Sequence, residues 1–114
     1  MEMFIWLSYD LGIQGDYRHM YAWLDNHDAI ECGDGFAYVK YHLSQEVDDS
    51  TFLDMIKDDL MKSVSFMPGD RVYVVRYSKE KQTYLGRFII GNRKAAPWVG
   101  YGDNKGDETE DGSE

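Results

Sequence analysis

Hydrophobic spacing along this chain changes period in the order strand, helix, strand, strand, helix, strand, strand. That succession confines the fold more tightly than any single motif. "MFIWLSY", residues 3–9, is apolar at consecutive positions and reads as a strand in the middle of a sheet. "DLGIQG" is a loop, and Asp16 stands where its carboxylate can accept from the first free amides of a helix. Tyr17, Met20, Tyr21 and Leu24 recur at the spacing of one helical stripe, and Trp23 widens it. This helix should end near Asn26 and His27. Ala29 to Cys32 is short and β-prone, and "CGDG" is a turn. "FAYVKYHL" then sets Phe36, Tyr38 and Lys40 on one face against Ala37, Val39 and Tyr41 on the other, which predicts a hairpin.

"SQEVDDS" is a polar connection, and Ser50 or Asp49 is expected to cap a second helix over about Thr51 to Ser63. Phe52, Met55, Ile56 and Leu60 should face the core, with Asp54, Lys57, Asp58 and Lys62 in water. "MPGD" turns the chain into the strand "RVYVVRY", and "SKEKQ" turns it again into "YLGRFIIG". "NRKAAPWVGYG" has no period, yet Trp98, Val99 and Tyr101 imply packing against something. The order βαββαβ with one strand added is the split βαβ plan. The expected class is therefore α+β, a ferredoxin-like sandwich with an extra C-terminal strand. Its helices would cover one face of the sheet. The other face, which receives Trp6 or its neighbours, then needs a cover from a partner subunit or the C-terminal extension.

At 114 residues the chain is long enough for one domain, expected over residues 1–101. Of its formal charge of −9, a share of −5 belongs to Gly102–Glu114, which is expected to be a disordered acidic tail. The body is left mildly acidic. That balance disfavours non-specific nucleic-acid binding, which needs Lys and Arg to displace counterions, and suits a partner with a basic surface. The nine tyrosines suit half-buried strands and interfaces. Cys32 is the only cysteine, so no intramolecular disulfide and no cysteine-based zinc site can form; a small buried residue in a reducing cytoplasm is the expected setting. "MFIWL" is too short for a signal-peptide core, and nothing approaches membrane-spanning length.

"LSYDLGIQGDYRHMYAWLDNHDAIE" resembles the start of the small proteins related to CRISPR-associated protein two, and more closely their SinR-like branch. The resemblance rests on the Tyr9-Asp10 end of the first strand, on Gly15-Asp16-Tyr17 opening the first helix, and on Gly69-Asp70-Arg71 opening the fourth strand, and it covers about residues 3–91. It implies a ferredoxin-like protomer that forms a homodimer through its sheet, with the fifth strand, near Tyr84 to Gly91, packing across to the partner. It also implies a metal-dependent endonuclease in which Asp10 and its two-fold copy hold Mg²⁺. The sequence departs from that pattern in three places. Only Arg18 remains of a basic helix start, the third strand is "FAYVKY", and the net charge is acidic.

Asp10 is thus the candidate catalytic and metal residue, against the plainer reading of a strand-ending carboxylate that satisfies loop amides. Tyr84, Arg87, Phe88, Trp98 and Tyr101 are the candidate binding residues. With Arg71, Arg76, Arg93 and Lys94, the first four of these would stack on and hold a single strand of nucleic acid, or, as the weightier reading, anchor a protein interface. His19 and His27 stand two turns apart on the first helix, which is poor ligand spacing, and read as surface or capping residues. The tail places Asp103 and Glu114 at the ends of a twelve-residue loop, but Glu108 replaces its glycine and the EF-hand reading fails. No phosphate loop is present. The expectation is a non-catalytic dimeric protein-interaction module, of phage, mobile-element or defence origin and acting as an inhibitor, that needs no cofactor. A Mg²⁺-dependent nuclease acting on RNA or DNA through Asp10 is the alternative.

Overall fold

A computed structural model describes residues 1–93 and 95–103. The element order is β1 (Glu2–Asp10), α1 (Tyr17–Asn26), β2 (Ile30–Gly33), β3 (Phe36–His42), α2 (Asp49–Ser63), β4 (Arg71–Ser78) and β5 (Thr83–Ile90). The strands form one sheet in the order β2-β3-β1-β4-β5, and every neighbouring pair is antiparallel. The molecule is α+β, with two helices on a five-stranded antiparallel sheet. Among the described residues no helix is long and apolar enough to cross a membrane. Lys94 and, from residue 104 on, the expected acidic tail lie outside the described residues.

One set of alternate residues faces the helices. Ile5 and Leu7 of β1, Ala37 and Val39 of β3, and Val72 and Val74 of β4 are buried there. Met20 and Trp23 of α1 and Phe52, Leu53, Ile56 and Leu60 of α2 close over them in a single cluster. The β1 run is central as expected, but its second face is not buried: Phe4 and Trp6 are partly open to solvent. Its apolar character there comes from lateral aromatic contact across the sheet.

Several sequence expectations need correction. Helix α2 begins two residues early, because Asp48 rather than Asp49 or Ser50 takes the extended cap conformation and accepts from the Thr51 amide at 2.7 Å. Asp49, inside the helix, turns instead to β4, where its carboxylate meets Arg76 at 3.2 Å and accepts from Ser78 Oγ at 2.7 Å. Leu53 replaces Met55 on the buried stripe of α2, and on α1 Tyr21 is exposed while Trp23 is buried as expected. Trp23 gains from the burial because its indole N–H donates to Asp59 of α2 at 3.2 Å. Cys32 is exposed, on the edge strand β2. Asp16 caps α1 as the sequence predicts, and also accepts from the Ser65 amide at 2.9 Å.

Candidate functional site

The face of the sheet away from the helices carries aromatic side chains on four strands. On β1 and β3, Phe4 stacks on Tyr38 at 5.8 Å between ring centres, and Trp6 stacks on Phe36 at 5.6 Å. On β4 and β5, Tyr73 meets Phe88 edge-on at 4.8 Å and Tyr77 meets Tyr84 at 5.3 Å. The ladder produces these pairs directly, since Tyr73 is registered with Phe88 and Tyr77 with Tyr84. Gly86 leaves room for the Tyr73 ring to lie across β5, because a Cβ there would come within 2.4 Å of its hydroxyl. The aromatic residues of the described C-terminal extension do not close over other side chains. Trp98 and Tyr101 are 73% and 84% exposed, so the expectation that they pack on something is not met within one chain.

Asp10 lies at one end of that face. In the antiparallel ladder it is opposite Arg71, and its carboxylate accepts from Arg71 Nη2. Arg71, Arg93 and Asp10 line one shallow cavity of about 240 Å³ with Ser8, Tyr73 and Phe88. The carboxylate therefore has a positive partner, which the sequence did not show. The missed signal was register: once β1 and β4 pair antiparallel, the last residue of one strand meets the first of the other.

The remaining candidates do not assemble into one site. Tyr84 and Phe88 share the open face. Arg87, between them, points to the helix side, where it donates to Asp54 of α2 at 2.9 Å. Arg76 is also on the helix side, buried, with its guanidinium 4.7 Å from the centre of the Phe52 ring. The basic groove required for a nucleic-acid strand is thus split between two faces. The histidines stay apart. His27 caps α1 and stacks between Trp23 at 4.0 Å and Tyr41 at 5.5 Å, while His19 binds the Asp16 cap at 2.9 Å. Among the described residues, no three or more His, Cys, Asp or Glu side chains gather as metal ligands.

Two carboxylates missed as individuals hold the frame. Buried Asp70 accepts from the Gly12 amide at 2.9 Å and the Met67 amide at 2.8 Å, tying the loop after β1 to the turn before β4. Asp59 accepts from Trp23 and from the Tyr41 hydroxyl at 3.1 Å, joining α1, α2 and β3. Burial first, then the Asp59 charge, pushes the Tyr41 phenol up to about 12. No protein-family model matches this chain, and no curated protein or solved structure does so.

Proposed function

We propose that this chain is a non-catalytic, homodimeric protein-interaction module of the cytoplasm, built on a ferredoxin-like plan. The uncovered aromatic sheet face carries the proposal. Phe4, Trp6, Phe36, Tyr77 and Tyr84 are all large, apolar and exposed on it. Five strands at ordinary spacing give a face of roughly 24 by 25 Å. That is on the order of one side of a standard interface, ~800 Å² per partner. Aromatic enrichment with few charges at the centre is the composition of an interface core. A second copy supplies the same surface about a two-fold axis, so the patch is its own complement. The order β2-β3-β1-β4 with both helices on one side supports the ferredoxin-like plan, and β5 is then the added strand. Trp98 and Tyr101 are further exposed aromatics that a partner would cover.

The acidic balance of the chain supports a protein partner with a basic surface. An inhibitor that fills the basic groove of a nucleic-acid enzyme, in a phage, mobile-element or defence setting, has this charge. Sedimentation of the native chain and of Trp6→Glu tests the dimer. The native chain should run as a dimer and the variant as a folded monomer. A native chain that stays monomeric at micromolar concentration refutes the reading.

The nuclease alternative requires Asp10 and its two-fold copy to hold Mg²⁺. The residues present do not fit that ion, because the Asp10 carboxylate is already engaged by the Arg71 guanidinium. Incubation with labelled RNA and DNA, with Mg²⁺ or Mn²⁺, should leave both intact. Cleavage that disappears in Asp10→Ala would reverse the order of the two readings.

A further inference from the structure

Away from the open sheet face, between α1 and the β2–β3 turn, three tyrosines line one concavity of about 590 Å³. Tyr9 comes from β1, and Tyr17 and Tyr21 stand one helical turn apart on α1. Their rings are inclined, not parallel. Tyr9 and Tyr21 meet at 6.3 Å and 75°, and Tyr17 and Tyr21 at 5.8 Å and 50°. Three tyrosine rings on one space, with carboxylates beside them, make a surface suited to an ammonium group.

Two walls of this space are fixed before any ligand arrives. The Tyr17 hydroxyl donates to the Leu11 carbonyl at 2.7 Å, and the Tyr9 amide donates to the Gly35 carbonyl at 2.8 Å. Gly35 has a φ of +69°, and a Cβ there would lie 2.6 Å from the Tyr9 carbonyl, so the turn can press against β1 only with glycine at this position. Tyr21 is 54% exposed and forms the outer wall. Among the described residues, the charged groups that share the lining are Asp10, Glu31 and Asp34, with no Lys or Arg. Asp10 is shared with Arg71, whereas Glu31 and Asp34 have no ion-pair partner among the described residues. Burial first, then Tyr21, Glu31 and Tyr17, raise the Tyr9 phenol above its ordinary value.

We propose that Tyr9, Tyr17 and Tyr21, with Glu31 and Asp34 at the rim, form a cage for the cationic head of a lysine side chain carried by a protein partner. The aromatic faces take the ammonium and its last methylenes, and the two carboxylates supply attraction across the opening. This assignment rests on the reading of the chain as an interaction module, and it names the chemistry of the partner. Because the cage lies off the open sheet face, it stays accessible when that face is covered by a second copy.

The test is a titration of the full chain followed by the NMR signals of the tyrosine rings. The probes are tetramethylammonium, the uncharged analogue neopentyl alcohol, which has a similar shape and one added hydroxyl, and the end-blocked tripeptide Gly-Lys-Gly with its lysine unmodified or trimethylated. Saturable shifts of the Tyr9, Tyr17 and Tyr21 rings with tetramethylammonium and at least one form of the peptide are expected, with neopentyl alcohol far weaker. Tyr21→Ala should weaken binding about tenfold, the loss of one desolvated cation–π contact. Tyr21→Phe should retain it, because the ring face and not the hydroxyl does the holding. Glu31→Gln with Asp34→Asn should weaken binding and flatten its salt dependence. Equal response to neopentyl alcohol, or no saturable shift, overturns the cage. Binding of tetramethylammonium with neither peptide overturns its assignment to a partner's side chain. Sedimentation of the same samples separates the two readings. A dimer without cation binding sinks the cage alone, and a cation-binding monomer sinks the dimer alone.

Discussion

Asp10 joins the two readings of this molecule, and its surroundings decide between them. Its side chain is 62% exposed and held by one arginine, so the pair contributes little to folding. Asp10→Ala should change stability by less than about 1 kcal/mol in urea denaturation. Asp70 is the opposite case. Its buried carboxylate satisfies two backbone amides, and alanine would leave both without an acceptor. We expect Asp70→Ala to cost about 2–4 kcal/mol, read from the same denaturation midpoints. A loss below about 0.5 kcal/mol would show that water replaces the carboxylate there.

The helix caps set the acid limit. Backbone donation from Ser65 leads the causes that hold Asp16 below the usual aspartate range, and hydrogen bonding by Thr51 does the same for Asp48. Carboxyls depressed in the folded state stabilise it above their unfolded value, near 3.8, and that contribution disappears as pH falls through the lower folded values. The melting temperature should therefore fall below about pH 4, and Asp48→Asn should blunt that fall. At the alkaline end the sign reverses. The Tyr41 phenol, raised to about 12, favours the folded state fully below its unfolded value of 10.0, and this is lost as pH rises between the two.

At the scale of elements, the two helices are docked by different devices. Helix α1 uses Trp23, whose ring is core and whose N–H is satisfied by Asp59. The α2 start uses the buried Asp49–Arg76 pair, with Ser78 on the other carboxylate oxygen and Phe52 under the guanidinium. Arg76 Nη1 is buried without a partner among the described residues, so the arginine depends heavily on Asp49. Asp49→Ala should destabilise by about 3 kcal/mol, because it strands a buried cation. The double variant with Arg76→Met should be more stable than Asp49→Ala alone. If the two losses simply add, the pair is not coupled.

The helices' existence and most of their inward faces were legible from spacing. The exposure of Tyr21 and the burial of Leu53 in place of Met55 were not. These residues lie at the edge of a stripe, where a rotation of the helix on the sheet decides which is covered.

At the scale of the whole molecule, the dimer proposal places Trp6 near the centre of the face and Tyr84 toward its β5 side. A central anchor surrounded by closed contacts carries more binding energy than a rim residue. Tyr84→Asp should therefore weaken self-association less than Trp6→Glu, with helix and sheet content unchanged in both. A stronger effect at Tyr84 would move the interface to the β5 edge.

Alternation along β3 and the run in β1 made the sheet and its buried side readable, because a strand's side chains follow from the pleat whatever lies beyond them. The caps could be read to within a residue or two, since capping is a local matter of one side chain and a few amides. Contacts that join distant stretches could not. Asp10 on Arg71, Arg87 turned away from Tyr84 and Phe88, and Tyr9 brought beside Tyr17 and Tyr21 all depend on register and on how each helix sits. The sequence by itself determined the order of elements, the amphipathic faces and the acidic charge, which are properties of neighbouring residues. Only the tertiary structure decided which carboxylate meets a cation and which aromatics share a space, because those meetings join residues far apart in the chain through the register of the sheet and the seating of the helices.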